Sequence, residues 1–173
     1  AINNDVIKMI EIKLSQGAKP GHGGLLPAEK NTPEIARIRA LKPYTTVHSP
    51  SSHSAFSNAT ELLYFIQKLR NLANGKPVGF KICIGKKEEF TEVLDAMKST
   101  NIIPDFITID GAEGGTGAAP LEFIDYMGMA LSDALIFAHK SLLDYGLRRE
   151  IKILASGKII SAFDIAKNIS LGA

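Results

Sequence analysis

Residues 106–117 read FITIDGAEGGTG, and this stretch decides how the chain folds. Its first four residues are β-branched or aromatic, which indicates a buried strand. The strand runs into Asp110 and then into a loop, 111–117, in which four of the seven residues are glycine. A strand that ends in a glycine-rich loop is typical of parallel β/α proteins, whose functional loops follow the carboxyl ends of the strands.

The same order of strand, loop and helix recurs along the whole chain. Strands are predicted at 106–109 and at four further places, 10–14, 44–49 (weak), 78–84 and 151–155. The spacing of apolar residues predicts helices over 61–73, 88–98, about 121–149 with a break near Gly128, and 162–171. Strands that alternate with helices form parallel sheets with right-handed crossovers, so the predicted fold class is α/β.

The composition excludes several classes of protein. The net charge of +2, from 20 basic and 18 acidic residues, offers no basis for binding nucleic acid. The single cysteine excludes a disulfide framework and an iron–sulfur cluster held by this chain alone, and the four histidines show no metal-ligand spacing. No apolar run reaches about 18 residues and no signal-peptide pattern is present, so we expect no membrane segment and a cytoplasmic location.

Glycine-rich loops collect after the predicted strands. They are QGAKPGHGG at 16–24, CIGK at 83–86, the loop at 110–117 and SGK at 156–158. Because the carboxyl ends of parallel strands share one edge of a sheet, we expect a ligand site there. For 21–24 the alternative is a mobile surface loop. For 114–117 it is a tight connection to a helix, with Pro120 at the first helical position.

Two lysines stand within strand-like runs. Lys81 lies in the apolar run VGFKICI, where it must pair, reach solvent past the strand end, or face a ligand. Lys13 lies in IEIKL, and its alternation with Glu11 and Ser15 favours a polar, solvated side of the strand. Cys83 is expected to be a small buried side chain.

Five segments carry a resemblance to a known family: KLSQGAKPGHGGLLP (13–27), VHSPSSHSAFS (47–57), VGFKICIG (78–85), FITIDGAEGGTGAAPLEF (106–123) and IKILASGKI (151–159). Together they resemble the FMN-binding domain of glutamate synthase, and most of all its stand-alone members. The resemblance implies a (β/α)8 barrel with FMN at the carboxyl ends of the strands. It also implies that residues 1–173 are part of one such domain, truncated at both ends, with four to five β/α units from about the fourth strand to the seventh helix.

The resemblance implies an oxidoreductase that aminates 2-oxoglutarate to L-glutamate with a hydride from FMN. Ammonia would come from an amidotransferase domain or subunit. Electrons would come from a partner, through an iron–sulfur cluster outside this chain if one is used. A homo-oligomer is compatible with this assignment, and we expect the 173 residues alone to be inactive.

Site residues are assigned by position within the family motifs. Lys19 and Arg39 match the lysine and arginine that hold the carboxylates of 2-oxoglutarate. Gln16 and Lys81 match positions beside the flavin ring, where a cation stabilises the anionic reduced flavin. The resemblance places eight further residues near the cofactor: Asp110, Gly111, Gly114, Gly115 and Gly117 at the flavin and substrate edge, and Ser156, Gly157 and Lys158 in the phosphate cradle.

The sequence departs from the family pattern near the expected substrate. Leu25 stands where the large enzymes have glutamine, and His22 replaces a common glutamate. The keto acid and the amine therefore stay open, and a related synthase such as N-methylglutamate synthase is one alternative. The others are a non-catalytic binding or assembly module of the same fold and a different flavin barrel such as a type 2 isoprenoid isomerase, against which Lys19 and Arg39 argue.

Overall fold

The computed structural model describes residues 4–115 and 119–173. Gly117, one of the predicted cofactor-binding residues, lies outside these described residues. The chain divides into two compact units: Gly21–Ser52 forms the smaller one, and the rest of the described chain forms the larger one.

The elements follow one another in chain order. The strands are β1 (Ile10–Lys13), β2 (Leu25–Leu26), β3 (Val47–His48), β4 (Val78–Ile82), β5 (Phe106–Asp110) and β6 (Lys152–Ser156). The α-helices are α1 (Pro33–Arg39), α2 (Ala59–Leu72), α3 (Lys87–Thr100), α4 (Leu131–Asp144) and α5 (Ala162–Ser170), and a short 3-10 helix spans Ala28–Lys30.

The larger unit is built on a four-stranded sheet in the order β1-β4-β5-β6. All three strand pairs are parallel. The register places Lys13 opposite Lys81, and Lys81 opposite Thr108. The strands therefore all end at one edge, and the α/β fold class predicted from the alternation is confirmed.

One face of this sheet packs against helices to form the core. Ile12, Phe80, Ile107 and Ile153 point into this core from the four strands. The helices contribute Leu62, Leu63 and Ile66 from α2, Phe90, Leu94 and Met97 from α3, and Leu135 and Leu142 from α4. Side chains of this size stabilise the fold by about 1.5–3 kcal/mol each when they are fully buried. Because side chains alternate along a strand, every second strand residue points to the opposite face.

The predicted helix over 121–149 is wrong in its first part. Only α4 is helical there, and residues 121–129 form turns, in which Phe123 donates a backbone hydrogen bond to the carbonyl of Pro120. Met129 explains the difference, because its N–H donates to the carbonyl of Ile84 and its carbonyl accepts from Ala112. These bonds to the strand ends replace the helical ones, so Pro120 does not begin a helix.

The smaller unit is organised around a buried asparagine. The Nδ2 group of Asn31 donates to the carbonyl oxygens of Lys42 at 2.8 Å and Thr45 at 2.9 Å. Thr32 caps α1 by accepting from the N–H of Ile35. The strands β2 and β3 pair antiparallel, so the weak strand predicted at 44–49 is reduced to two residues. The short helix α1 was not predicted.

The last helix, α5, is held at its end but leaves apolar side chains uncovered. Arg148 donates to the carbonyl of Gly172 at 2.7 Å, to the carbonyl of Ile151 and to Nδ1 of His139. Phe163, on α5, is 77% exposed. Over residues 4–115 and 119–173, no helix combines the length and the apolar character needed to cross a bilayer.

Candidate functional site

The glycine-rich loops after β1 and β5 interlock at the carboxyl edge of the sheet. The N–H of Gly17 donates to Oδ2 of Asp110 at 2.7 Å, and the bond is buried. A Cβ atom added to Gly17 would overlap the carbonyl oxygen of Gly111. Two of the predicted site loops are thus joined through Asp110, whose carboxylate binds backbone within the chain.

The loops after β5 and β6 are also neighbours. The N–H of Gly111 donates to the carbonyl of Ser156 at 2.9 Å. Gly157 has a φ of +123°, and a Cβ there would lie 3.4 Å from the nitrogen of Gly111 and 3.5 Å from that of Gly114. Lys158 follows with an exposed side chain. The predicted phosphate residues 156–158 therefore adjoin the predicted flavin loop, although their binding role stays a prediction.

The carboxylate of Glu113 holds the far end of the β5 loop against α4. The N–H of Leu131, the first residue of α4, donates to both of its oxygens at 3.0 Å. A negative charge at a helix N-terminus is favourable because it lies at the positive end of the helix dipole. At Gly115, by contrast, a Cβ would meet no atom of the described residues within 4 Å.

Cys83 is packed and unreactive. Its N–H donates to Oγ of Ser15 at 2.7 Å, and its thiol lies 3.6 Å from the carbonyl of Gly17. Burial, and then the nearby carboxylate of Asp110, raises the pKa of the Cys83 thiol to about 11. A thiol with this pKa stays neutral near pH 7, so it is a poor nucleophile. The prediction of a small buried side chain is confirmed.

A polar face lies on the side of the sheet opposite the core, and we define it by Glu11, Lys13, Lys81 and Thr108. Nζ of Lys81 lies 3.8 Å from Oε1 of Glu11. The hydroxyl of Thr108 donates to Oε2 of Glu11 at 2.6 Å. Lys13 donates to Oε1 of Gln16 at 2.9 Å. Gln16, which is predicted to lie beside the flavin ring, therefore contacts the polar face. Lys81 thus takes the first of its three expected options, since it pairs with Glu11, and its facing a ligand stays a prediction.

Lys13 is the residue whose role sequence reasoning underestimated. It does lie on the polar side of its strand, as predicted, but it is not alone there. Burial lowers its pKa first, and the charges of Lys81 and Lys19 lower it further, while Asp110 opposes them. The ammonium group of Lys13 is therefore close enough to those of Lys81 and Lys19 to be repelled by both. Only the strand register, which sets Lys13 opposite Lys81, could have signalled this.

The two predicted substrate-binding cations lie in different units. Lys19 belongs to the larger unit, where its side chain is buried and its N–H donates to the carbonyl of Gln16 at 3.0 Å. Arg39 is the last residue of α1 in the smaller unit, and its side chain is exposed. Lys19 belongs with Lys13 and Lys81 to what we call the lysine cluster. The role of Arg39 stays a prediction.

The charges of this region fit an anionic ligand. Both carboxylates beside the lysines are engaged, Glu11 with Thr108 and Lys81, and Asp110 with the amide of Gly17. The charges that act on Lys13 are those of Lys81 and Lys19 against that of Asp110, so positive charge is in excess around Lys13, which favours phosphates and carboxylates. FMN and 2-oxoglutarate both carry such groups. Over the described ranges, no three His, Cys, Asp or Glu side chains converge in a way that could hold a metal ion.

Solved structures define the class of fold. The chain is similar to a double mutant of flavocytochrome b2 with pyruvate bound, with a TM-score of 0.53 and 16% identity over 96% of this chain and 34% of that one. A second flavocytochrome b2 mutant, with benzoylformate, gives a TM-score of 0.52 at 17% identity. The chain therefore shares the α/β fold of these structures, as part of a (β/α)8 barrel to which its parallel sheet supplies four strands.

Sequence comparison then identifies the family. Residues 3–173 match the family model described as the conserved region in glutamate synthase, so the chain belongs to the glutamate synthase family. It is 44% identical, over 98% of its length, to the glutamate synthase large subunit-like protein YerD of Bacillus subtilis. It is 39% identical, over 95%, to the archaeal glutamate synthase (NADPH) of Methanocaldococcus jannaschii. The chain covers 32% of each, about a third of the length of these curated relatives.

Proposed function

We propose that this chain is part of an FMN-binding barrel domain in an oxidoreductase that converts 2-oxoglutarate and ammonia into L-glutamate. The observation that carries the proposal is the cluster of Lys13, Lys19 and Lys81 beside the glycine-rich loops at the carboxyl edge of the sheet. Family membership supports a reaction of the glutamate synthase type. The lysine cluster supports a site for the anionic groups of the cofactor and the keto acid.

Lys81 of the polar face, together with Gln16, Lys19 and Arg39, would bind and orient the two ligands. FMN, when bound, supplies the hydride that reduces the carbon carrying the new amine. Lys81 would place a positive charge beside the flavin ring, where negative charge develops on reduction. Gln16 accepts a hydrogen bond from Lys13 through Oε1, and its Nε2 group would donate to a ligand. Lys19 would bind a substrate carboxylate, and Arg39 is assigned the same task by sequence alone.

The backbone of the three adjoining loops would hold the phosphate and the ring edge. The contact between Gly17 and Gly111 leaves no room for a side chain at Gly17, and the φ of +123° at Gly157 is one that other residues rarely adopt. Close backbone packing of this kind lets amide groups approach a ligand directly. Residues 110–115 and 156–158 would therefore surround the cofactor, with Lys158 adding a cation at the phosphate end.

A flavin titration tests this proposal. Full-length protein at micromolar concentration should change the absorbance spectrum of FMN on binding, and Lys81→Ala should weaken that binding roughly tenfold to a hundredfold because a charge-assisted contact is lost. Lys98→Ala removes an exposed lysine of α3 and serves as the matched control. If FMN shows no spectral change, or binds equally well to the Lys81 variant, the assigned site is wrong.

Turnover separates the proposed reaction from its alternatives. Sustained glutamate formation from 2-oxoglutarate, ammonium and reduced ferredoxin would exclude a non-catalytic module. Leu25, which stands where the large enzymes have glutamine, is 45% exposed in β2 of the smaller unit. Turnover with ammonium should therefore be compared with turnover with methylamine. Preference for methylamine would identify an N-methylglutamate synthase type of enzyme. The amidotransferase and electron-donor partners and the cytoplasmic location belong to this same proposal.

A further inference from the structure

We propose that Glu11 is a positioning residue that holds the ammonium of Lys81 on the polar face, and that Thr108 holds Glu11 in turn. Each oxygen of the Glu11 carboxylate has its own partner: Oε1 lies 3.8 Å from Nζ of Lys81, and Oε2 accepts from the hydroxyl of Thr108 at 2.6 Å. The role of this arrangement beside a flavin rests on the function proposed above. The contacts themselves do not depend on that function.

The carboxylate reaches Thr108 across a whole strand. Glu11 lies on β1 and Thr108 on β5, and β4 runs between them. The residue of β4 registered with Glu11 is Gly79, which has no side chain in the way. A larger residue is not accommodated at Gly79, because a Cβ there would collide with the ring and the carbonyl oxygen of Phe106. The Phe106 ring occupies the space over Gly79, and the Glu11 carboxylate links three strands through its contacts with Lys81 and Thr108.

Lys81 needs such a partner because the ammonium group of Lys13 lies close enough to repel it. Its registered neighbour on β1 is Lys13, whose lowered pKa records repulsion by Lys81 and Lys19. An ammonium under this repulsion would turn towards solvent unless an opposite charge held it. The other nearby carboxylate, Asp110, accepts the amide of Gly17 instead. Glu11 therefore supplies the counter-charge, and the short bond from Thr108 fixes where that charge lies.

Competitive labelling with acetic anhydride tests the contact without any flavin. In full-length protein at pH 8, Glu11→Gln should raise the acetylation rate of Lys81, measured by mass spectrometry, about two- to fivefold, as expected for loss of a partly exposed ion pair. Thr108→Val keeps the shape and the strand propensity of the residue, and it should give a smaller rise. Lys98, exposed on α3, should react at an unchanged rate in both variants.

Two results would overturn the inference. One is an unchanged rate at Lys81 in Glu11→Gln. The other is an equal rise at Lys81 and Lys98, which would mean that Glu11 only stabilises the fold. Neither depends on FMN, so a protein that binds no flavin refutes the proposed function and leaves this contact to be judged by the labelling alone.

A double-mutant cycle tests whether the contact serves the cofactor. Thr108→Val should weaken FMN binding about two- to fivefold in otherwise wild-type protein and have no effect in the Lys81→Ala background, because it acts through Lys81. An equal effect in the two backgrounds would show that Thr108 acts on the flavin by another route, and the positioning role would be rejected.

Discussion

At the scale of single residues, the lysine cluster disfavours the charged form of Lys13. Its pKa is lowered by burial first and by Lys81 and Lys19 next, with Asp110 acting in the opposite direction. Like charges that lie close together repel one another, and a bound anion would reduce this repulsion. Binding of a phosphate or carboxylate at this edge should therefore favour the protonated form of Lys13.

Removing one neighbour should restore part of the shift at Lys13. In Lys81→Met we expect the pKa of Lys13 to rise towards its ordinary value without reaching it, because burial, the largest cause, is unchanged. An NMR titration of labelled lysine side chains measures this directly, and Lys98→Met provides a control in which no lysine of the cluster is lost. A pKa that stays where it is or falls would show that the two ammonium groups do not interact.

At the scale of elements, the site depends on how closely the loops pack. Gly17→Ala should destabilise the protein by about 1–3 kcal/mol, since the new methyl group overlaps the carbonyl oxygen of Gly111 and forces the loops apart. Urea unfolding measures the loss. Gly115→Ala is the control, because its Cβ would meet no atom of the described residues within 4 Å, and its stability should be nearly that of the parent. Equal stability of the two variants would contradict the interlocked arrangement.

A second element-scale prediction concerns the start of α2. Hydrogen bonds from the N–H and hydroxyl of Ser57 to Oε2 of Glu61 lower the pKa of Glu61. A carboxyl whose pKa is depressed on folding stabilises the folded state above its unfolded pKa, and this contribution is lost as the pH falls through the folded value.

Glu61→Gln should therefore be less stable than the parent at pH 7, and the difference should shrink as the pH drops below the ordinary glutamate pKa of about 4.3. Urea unfolding at pH 7 and pH 3 compares the two proteins. Glu92→Gln, on an exposed position of α3, controls for the general effect of removing a carboxylate. A difference that grows on acidification would reverse the sign of this argument.

At the scale of the whole molecule, the larger unit leaves surfaces that a stable monomer normally covers. The strands β1 and β6 are the two edges of the parallel sheet, and each offers unpaired backbone groups. On and before α5, Ile160 is 88%, Phe163 77% and Ile169 62% exposed. Adjacent apolar side chains of this size favour association. They would be covered if further β/α units of a barrel packed beside them.

The 173 residues produced alone should therefore self-associate. Light scattering at micromolar concentration should give a mass of two chains or more, and Phe163→Glu should lower it because a charge resists burial in the contact. Lys167→Glu, a charge change on the same helix, serves as the control for α5. A monodisperse monomer with a cooperative melt would show that these surfaces are tolerated.

The sequence by itself determined the alternation of strands and helices, the parallel sheet and the family, because these depend on local periodicity and on motifs contiguous in the chain. It placed the four sheet strands, α2, α3 and α5 within a few residues. It failed at 121–149 and at α1. Over 121–129, long-range backbone hydrogen bonds at Met129 override the helical spacing of the apolar residues. The helix α1 is only seven residues long, which gives too short a pattern to recognise.

Only the tertiary structure decided which side chains meet. Gly17 and Asp110 are 93 residues apart in the chain, and Glu11 and Thr108 are 97 apart. No local pattern links such pairs. The register of three parallel strands brings Lys13 beside Lys81 and Lys81 beside Thr108. Register is a property of the folded sheet, since a shift of one residue would send every one of these side chains to the other face.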